Sequence, residues 1–190
     1  VNAMLILLGP SASGKTETAK IMINRYPISR VVTCTTRSKR INEIDGFDYH
    51  FLSEADFKSK QKSGYFAETA IYNGYLYGTP FSELRDDKLI ILEPQGLKSF
   101  INLAVCDTVA IYFKTLEQCR IDRMRQRKDK TEDIKKRIEQ DRIDFNYEKI
   151  EGLDLIVDTT NMSLSDLADL VYYNYTMILA NKKLLNKADK

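Results

Sequence analysis

The sequence has no tryptophan, one histidine and three cysteines in 190 residues. A lone His50 leaves too few imidazoles for a histidine-rich metal centre or a Ser-His-Asp relay. Cys34, Cys106 and Cys119 are widely spaced and form no Cys-x-x-Cys pair. That pattern argues against a disulfide framework or a zinc site and for free thiols in a reducing compartment, so a cytoplasmic protein is expected. No apolar run is longer than a strand, so neither a signal peptide nor a membrane span is expected. An excess of one charge is also lacking: 29 Lys and Arg face 27 Asp and Glu. Such a balance creates no global field for nucleic acid or a membrane, and neither is expected as a partner. What remains is a chain of one-domain length, long enough to bury a core without staples. Val1-Asn2-Ala3, ahead of Met4, read as a remnant outside the fold.

Glycine too is scarce, eight in all, yet Gly9 and Gly14 fall in one short stretch, Gly9-Pro10-Ser11-Ala12-Ser13-Gly14-Lys15-Thr16. The apolar run Met4 to Leu8 precedes it and a helical pattern follows from about Lys15. Strand, glycine loop and helix with Gly-x-x-x-x-Gly-Lys-Thr between them is the P-loop arrangement. Glycines let the backbone bend where a Cβ would clash. Consecutive N–H groups of Gly9, Ser11, Ala12, Ser13 and Gly14 are then expected to cradle phosphate oxygens, helped by the positive end of the helix. Lys15 is expected to reach the β- and γ-phosphates of ATP, and the Thr16 hydroxyl to ligate Mg²⁺.

Short strands alternate with helices over much of the chain, predicting an α/β fold: a parallel sheet covered by helices on both faces. The pattern predicts strands at 4–8, 31–35, 89–92, 108–113 and 155–158. Helices are predicted from Lys15 to Pro27, at 95–103, from a Thr115–Gln118 capping box to about Arg127, at 133–149 and from Ser163 to about Ala180. The stretch from about 33 to 80 differs. It is tyrosine-rich, with a Ser53-capped helix and two strands flanking Asn73-Gly74, a strong hairpin signal. We read it as a small β-rich insertion (33–80) in a core made of 4–32 and 81–181, with a helical lid at about 120–145.

The insertion carries Thr35-Thr36-Arg37-x-x-Arg40-x-x-Glu43-x-x-Gly46-x-Asp48-Tyr49-x-Phe51, then Phe66-x-Glu68 and Asn73-Gly74-x-x-Tyr77-Gly78-Thr79. Guanidinium groups grip phosphate oxygens as a fork, so paired arginines with a tyrosine hydroxyl suit a phosphomonoester. Together with the glycine loop and Gln95-Gly96, these segments make the chain resemble the guanylate kinases over about Leu5 to Val171. The resemblance implies transfer of the γ-phosphoryl group from ATP to GMP, with Arg37, Arg40, Tyr49 and Tyr77 on the acceptor phosphate. It implies that Glu68 reads guanine, with Thr33, Thr79 and Glu93 around the base. It further implies that Asp158 borders adenine, and that Arg123, Arg127 and Arg137 act with Lys15 on the transferring group. A monomer or homodimer is expected. Arg120 and Arg125 read as solvated helix-face residues, and His50 as structural.

One departure stands out. Where the family usually has an acidic-x-acidic pattern before Gln-Gly, this chain reads Ile91-Leu92-Glu93-Pro94. The missing first acid keeps two alternatives open: a related kinase acting on another phosphorylated acceptor, or a non-catalytic protein-binding module of the same fold.

Overall fold

The computed structural model describes residues 3–188 apart from 42, 73, 86, 105 and 106. Cys106 and the Asn73 of the expected hairpin turn therefore lie outside the described residues.

The chain organises around β1 (Ala3–Leu8), whose six residues are all buried. Side chains alternate along a strand, so Leu5 and Leu7 enter one core cluster while Met4, Ile6 and Leu8 enter another on the opposite face. Such a strand must lie inside a sheet covered on both sides, and it does. β1 pairs in parallel with β7 (Lys88–Ile91) and with β8 (Asp107–Lys114), giving a five-stranded order β2-β7-β1-β8-β9. β2 is Ser29–Arg30 and β9 is Leu155–Asp158. On one face, α1 (Lys15–Arg25) and α6 (Leu164–Ala188) pack through Met22, Leu167, Val171 and Tyr175. On the other, α3 (Pro94–Leu103) packs through Leu97 and Phe100. Ala3, set aside in the sequence reading, is the first residue of β1 and is buried, so it belongs to the fold.

A second, four-stranded sheet of order β4-β3-β6-β5 is built from β3 (Cys34–Thr35), β4 (His50–Phe51), β5 (Phe66–Tyr72) and β6 (Tyr75–Pro80). The helix α2 (Glu54–Lys62) covers it. Its Ser53 cap accepts from the Asp56 N–H as expected, and Phe57 stacks on Phe66 with ring centroids 4.5 Å apart. The single strand expected at 31–35 is corrected: the stretch 29–35 splits between the two sheets, with Ser29 and Arg30 pairing to β7 and Cys34 and Thr35 to β6. The sequence hides this transfer because Val31 beside β7 and Cys34 beside β6 are both buried, and nothing local marks the change of partner.

α4 (Glu117–Gln126) and α5 (Thr131–Asp144) form a helical pair joined by Met124, Ile134 and Ile138. The Thr115 capping box is corrected as well. Leu116 is the cap, and the buried Thr115 hydroxyl instead meets the Thr159 hydroxyl at 2.6 Å, a tertiary partner that outcompetes the local one. The helix expected to run on to Lys149 stops at Asp144, and Tyr147–Lys149 makes a separate tight turn. α6 continues to Ala188, past the expected end near Ala180.

Candidate active site

The donor loop leaves β1 and enters α1. Gly9 (φ 144°) lies where a Cβ would fall 2.7 Å from the Phe113 carbonyl oxygen, and Gly14 (φ 100°) opens the helix. Lys15 Nζ donates to the carbonyls of Gly9 (2.5 Å) and Pro10 (2.9 Å) and to Ser13 Oγ (3.2 Å). Burial pulls the Lys15 ammonium below its usual pKa, against the attraction of Glu93 and Asp141. The loop is pinned from outside by Arg123, which donates to the Ala12 carbonyl at 3.1 Å and the Thr159 carbonyl at 3.2 Å. The Thr159 hydroxyl in turn donates to the Ser13 carbonyl at 3.1 Å. Ser13, Gly14, Lys15, Thr16, Arg123 and Arg127 line a hollow of about 520 Å³.

A second hollow, about 340 Å³, lies between the two sheets. Arg37, Arg40, Tyr49 and Tyr77 line it together with Thr33, Glu68 and Glu93. Arg37 is held by Glu43 through two hydrogen bonds, at 2.6 and 3.0 Å, and its guanidinium carbon lies 5.4 Å from the Tyr49 ring centroid. Glu43 also accepts the Arg40 N–H at 2.8 Å, so one carboxylate sets the spacing of both arginines. Glu68 is buried and accepts the Thr79 hydroxyl at 2.6 Å. Burial raises the Glu68 pKa while that hydrogen bond opposes the rise. Thr16 lines both hollows, so the glycine loop and the cleft between the sheets open onto each other at this residue.

The guanylate kinase family profile matches residues 2–173. The chain belongs to the guanylate kinase family. It is 28% identical to a guanylate kinase of Chlorobium luteolum over 192 residues, spanning 96% of this chain and 95% of that one. It is 34% identical to one from Maricaulis maris over 144 residues, 71% of this chain and 66% of the other. The fold is shared with the crystal structure of guanylate kinase from Anaplasma phagocytophilum, at a TM-score of 0.68 and 22% identity, covering 96% of this chain and 86% of that one.

Within this guanylate kinase fold, five residues named from the sequence line neither hollow; Thr79 is one, fully buried and bonded to Glu68. Gly9 lies against Phe113, as described. Ser11 turns its N–H toward Asp141 Oδ2 at 2.9 Å. Arg137 is paired with Asp129 at 3.1 Å. Asp158 is exposed beside Thr160, Asn161 and Ser163 in a separate hollow at the start of α6. Other residues were missed. Arg30 lines the acceptor cleft and pairs with Asp48 at 3.6 Å. Arg120, read as a solvated residue, is corrected: it is 5% exposed and bonded to Asp141 at 2.7 Å. The signal was present, because Arg120 stands four residues before the buried Met124 and Asp141 three after the buried Ile138. Each therefore lies on the apolar stripe of its helix. Arg125 does face solvent.

Proposed function

We propose that the chain transfers the γ-phosphoryl group of ATP to the phosphate of GMP, giving ADP and GDP. The observation that carries this reading is the junction at Thr16: an anion cradle of backbone N–H groups and an arginine-tyrosine cleft share one lining residue. Two nucleotides placed end to end meet there with their phosphates facing.

The roles follow from chemistry. Arg37, Arg40, Tyr49 and Tyr77 hold the acceptor phosphate. Glu68 accepts from guanine N1–H and the 2-amino group; adenine offers no such pair and leaves the buried carboxylate with the Thr79 hydroxyl alone. Thr33 and Glu93 complete the wall around the base, and Thr79 serves it through its hydrogen bond to Glu68. Ala12, Ser13 and Gly14 cradle the donor phosphates, and Asp158 borders the adenine. An oxygen of the GMP phosphate attacks the γ-phosphorus in line, the bond to the β–γ bridging oxygen breaks, and ADP leaves. No general base is needed, since the attacking phosphate already carries charge. Lys15, Arg123 and Arg127, joined by Arg137 when the lid at about 120–145 closes, neutralise the oxygens of the transferring group. The insertion at 33–80 serves as the acceptor unit on the core of 4–32 and 81–181.

Mg²⁺ fits the residues at the junction. Glu93 Oε2 is buried without a partner, and Glu93 shares the cleft lining with the Thr16 hydroxyl. Among the described residues no cluster of three or more His, Cys, Asp or Glu is placed to hold a metal. One hydroxyl and one carboxylate, completed by nucleotide phosphates and water, is the donor set a small oxygen-seeking cation takes. Held by Thr16 and Glu93, it would supply positive charge against the negative charge that develops on the transferring group.

The test is ADP release with ATP, Mg²⁺ and a panel of nucleoside monophosphates and phosphosugars. GMP is expected to be turned over best. If GMP gives no more ADP than water does, the assignment fails, and turnover of another acceptor would favour the alternative raised by Ile91, which lines the same cleft. A narrower expectation concerns Arg40→Ala. It should raise KM for GMP about ten-fold or more while KM for ATP stays within about two-fold. An equal loss for both substrates would remove the cleft from the acceptor role.

A further inference from the structure

Ser11, at the crest of the donor loop, has three polar groups, and all three are engaged by the helical pair α4–α5. Its N–H donates to Asp141 Oδ2 at 2.9 Å and its hydroxyl donates to Asp141 Oδ1 at 3.2 Å. Its carbonyl accepts from Arg120 Nη1 at 3.3 Å. Arg120 and Asp141 are themselves joined at 2.7 Å, with side chains only 6% and 3% exposed. Arg120 sits on α4 and Asp141 on α5, so the pair ties the two helices to each other and both to the loop. A second contact reinforces the first: Ala12, the next loop residue, packs against the Met124, Ile134 and Ile138 cluster of the same helices.

A buried ion pair is weak evidence for stability, because desolvation offsets its attraction and apolar residues of similar volume commonly do as well or better. This one is imperfect even as a pair, since Arg120 Nε is buried with no partner. What the pair does that apolar residues cannot is grip the polar groups of Ser11. We propose that Arg120 and Asp141 are positioning residues for phosphoryl transfer: they fasten the crest of the donor loop to α4–α5, so that Arg123 and Arg127 are held in fixed register with Lys15. Arg123 lies one turn beyond Arg120 on α4 and already reaches the Ala12 carbonyl. The lid then bends beyond this anchor, in the outer turns of α4 and α5, and not at the loop itself. The inference rests on the kinase reading for its catalytic consequence.

The experiment compares Asp141→Ala with the double variant Arg120→Leu/Asp141→Ala. The single change leaves a buried guanidinium alone and should lower Tm and kcat together. The double variant removes both charges and should recover most of the Tm. If the pair positions the loop, kcat with GMP stays about ten-fold or more below the unaltered protein, because small misplacements of reacting groups are costly. KM for GMP, whose cleft between the sheets is lined by none of Ser11, Arg120 and Asp141, stays within about two-fold. Recovery of kcat alongside Tm overturns the proposal and makes the pair structural only. Should the double variant fail to fold, Ser11→Ala removes just the hydroxyl bond; a kcat about three-fold lower at unchanged Tm supports the anchor, and an unchanged kcat overturns it. Calorimetry with ATP separates this from the kinase reading. A protein that phosphorylates no acceptor sinks that reading, while ATP affinity about ten-fold weaker in the double variant would still establish the anchor, and equal affinity would refute it.

Discussion

Lys15→Ala should abolish turnover, lowering kcat by about a thousand-fold, the upper range for removing one preorganised electrostatic donor. The ammonium is the cation on the loop itself, and it stands with its three donors on Gly9, Pro10 and Ser13. Moving from those acceptors to phosphate oxygens requires only a side-chain rotation, because the acceptors line the same loop. Glu93 and Asp141 favour the charged form of the buried ammonium, opposing the desolvation that lowers its pKa. The variant should still bind GMP within about two-fold of the unaltered affinity, since Arg37, Arg40 and Glu68 are untouched. Calorimetry with GMP and a steady-state assay check the two halves separately. Retained turnover would remove this loop from the donor site, whatever the GMP result.

Glu68→Gln should lower kcat/KM for GMP by about a hundred-fold and narrow the preference over AMP by a similar factor, as expected for about 3 kcal/mol lost when a buried charged acceptor is replaced. The carboxylate offers two acceptors to two adjacent guanine donors. A glutamine offers one acceptor and turns an N–H toward the second donor, so one good contact becomes a repulsive one. Thr79 sharpens the effect: its hydroxyl donates to Glu68 Oε1 at 2.6 Å, fixing which way the group faces. In the variant the same hydroxyl can hold the amide oxygen, leaving the amide nitrogen toward the base. KM for ATP should not move. Competing GMP and AMP in one assay reads the discrimination directly, and an unchanged ratio would deny Glu68 the reading of the base.

The features legible in the sequence are those whose causes are local. β1 reads as a doubly covered strand because all of its residues are apolar, and the loop after it because glycines are needed where a Cβ meets Phe113. The Ser53 cap was legible because its partner, the Asp56 N–H, is three residues away. Where the partner is remote, the reading fails. Thr115 looked like a cap but answers to Thr159, across the sheet. The burial of Arg120 could be read from its place on the apolar stripe of α4, but its partner could not: no local rule says that a carboxylate 21 residues on, in the next helix, will meet it. The split of 29–35 between two sheets was equally hidden, since Val31 beside β7 and Cys34 beside β6 are both buried and nothing in the run marks the change of partner. At the site, the arginine-tyrosine motif was legible as a pattern, but not the way Glu43 spaces Arg37 from Arg40.

The placement of β1 bears on how the chain comes off the ribosome. Its partners arrive late: Leu5 registers with Leu89 on one side and with Val109 on the other. Until the chain has been made beyond Lys88, roughly eighty residues after the strand itself, this buried apolar segment has no sheet partner, and its second neighbour, β8, comes later still; contacts this distant in sequence form slowly. The insertion, whose four strands lie within residues 34–80, can zip up in that interval. The nascent chain thus carries an unpaired apolar strand throughout that interval, the circumstance in which chaperone shelter matters most.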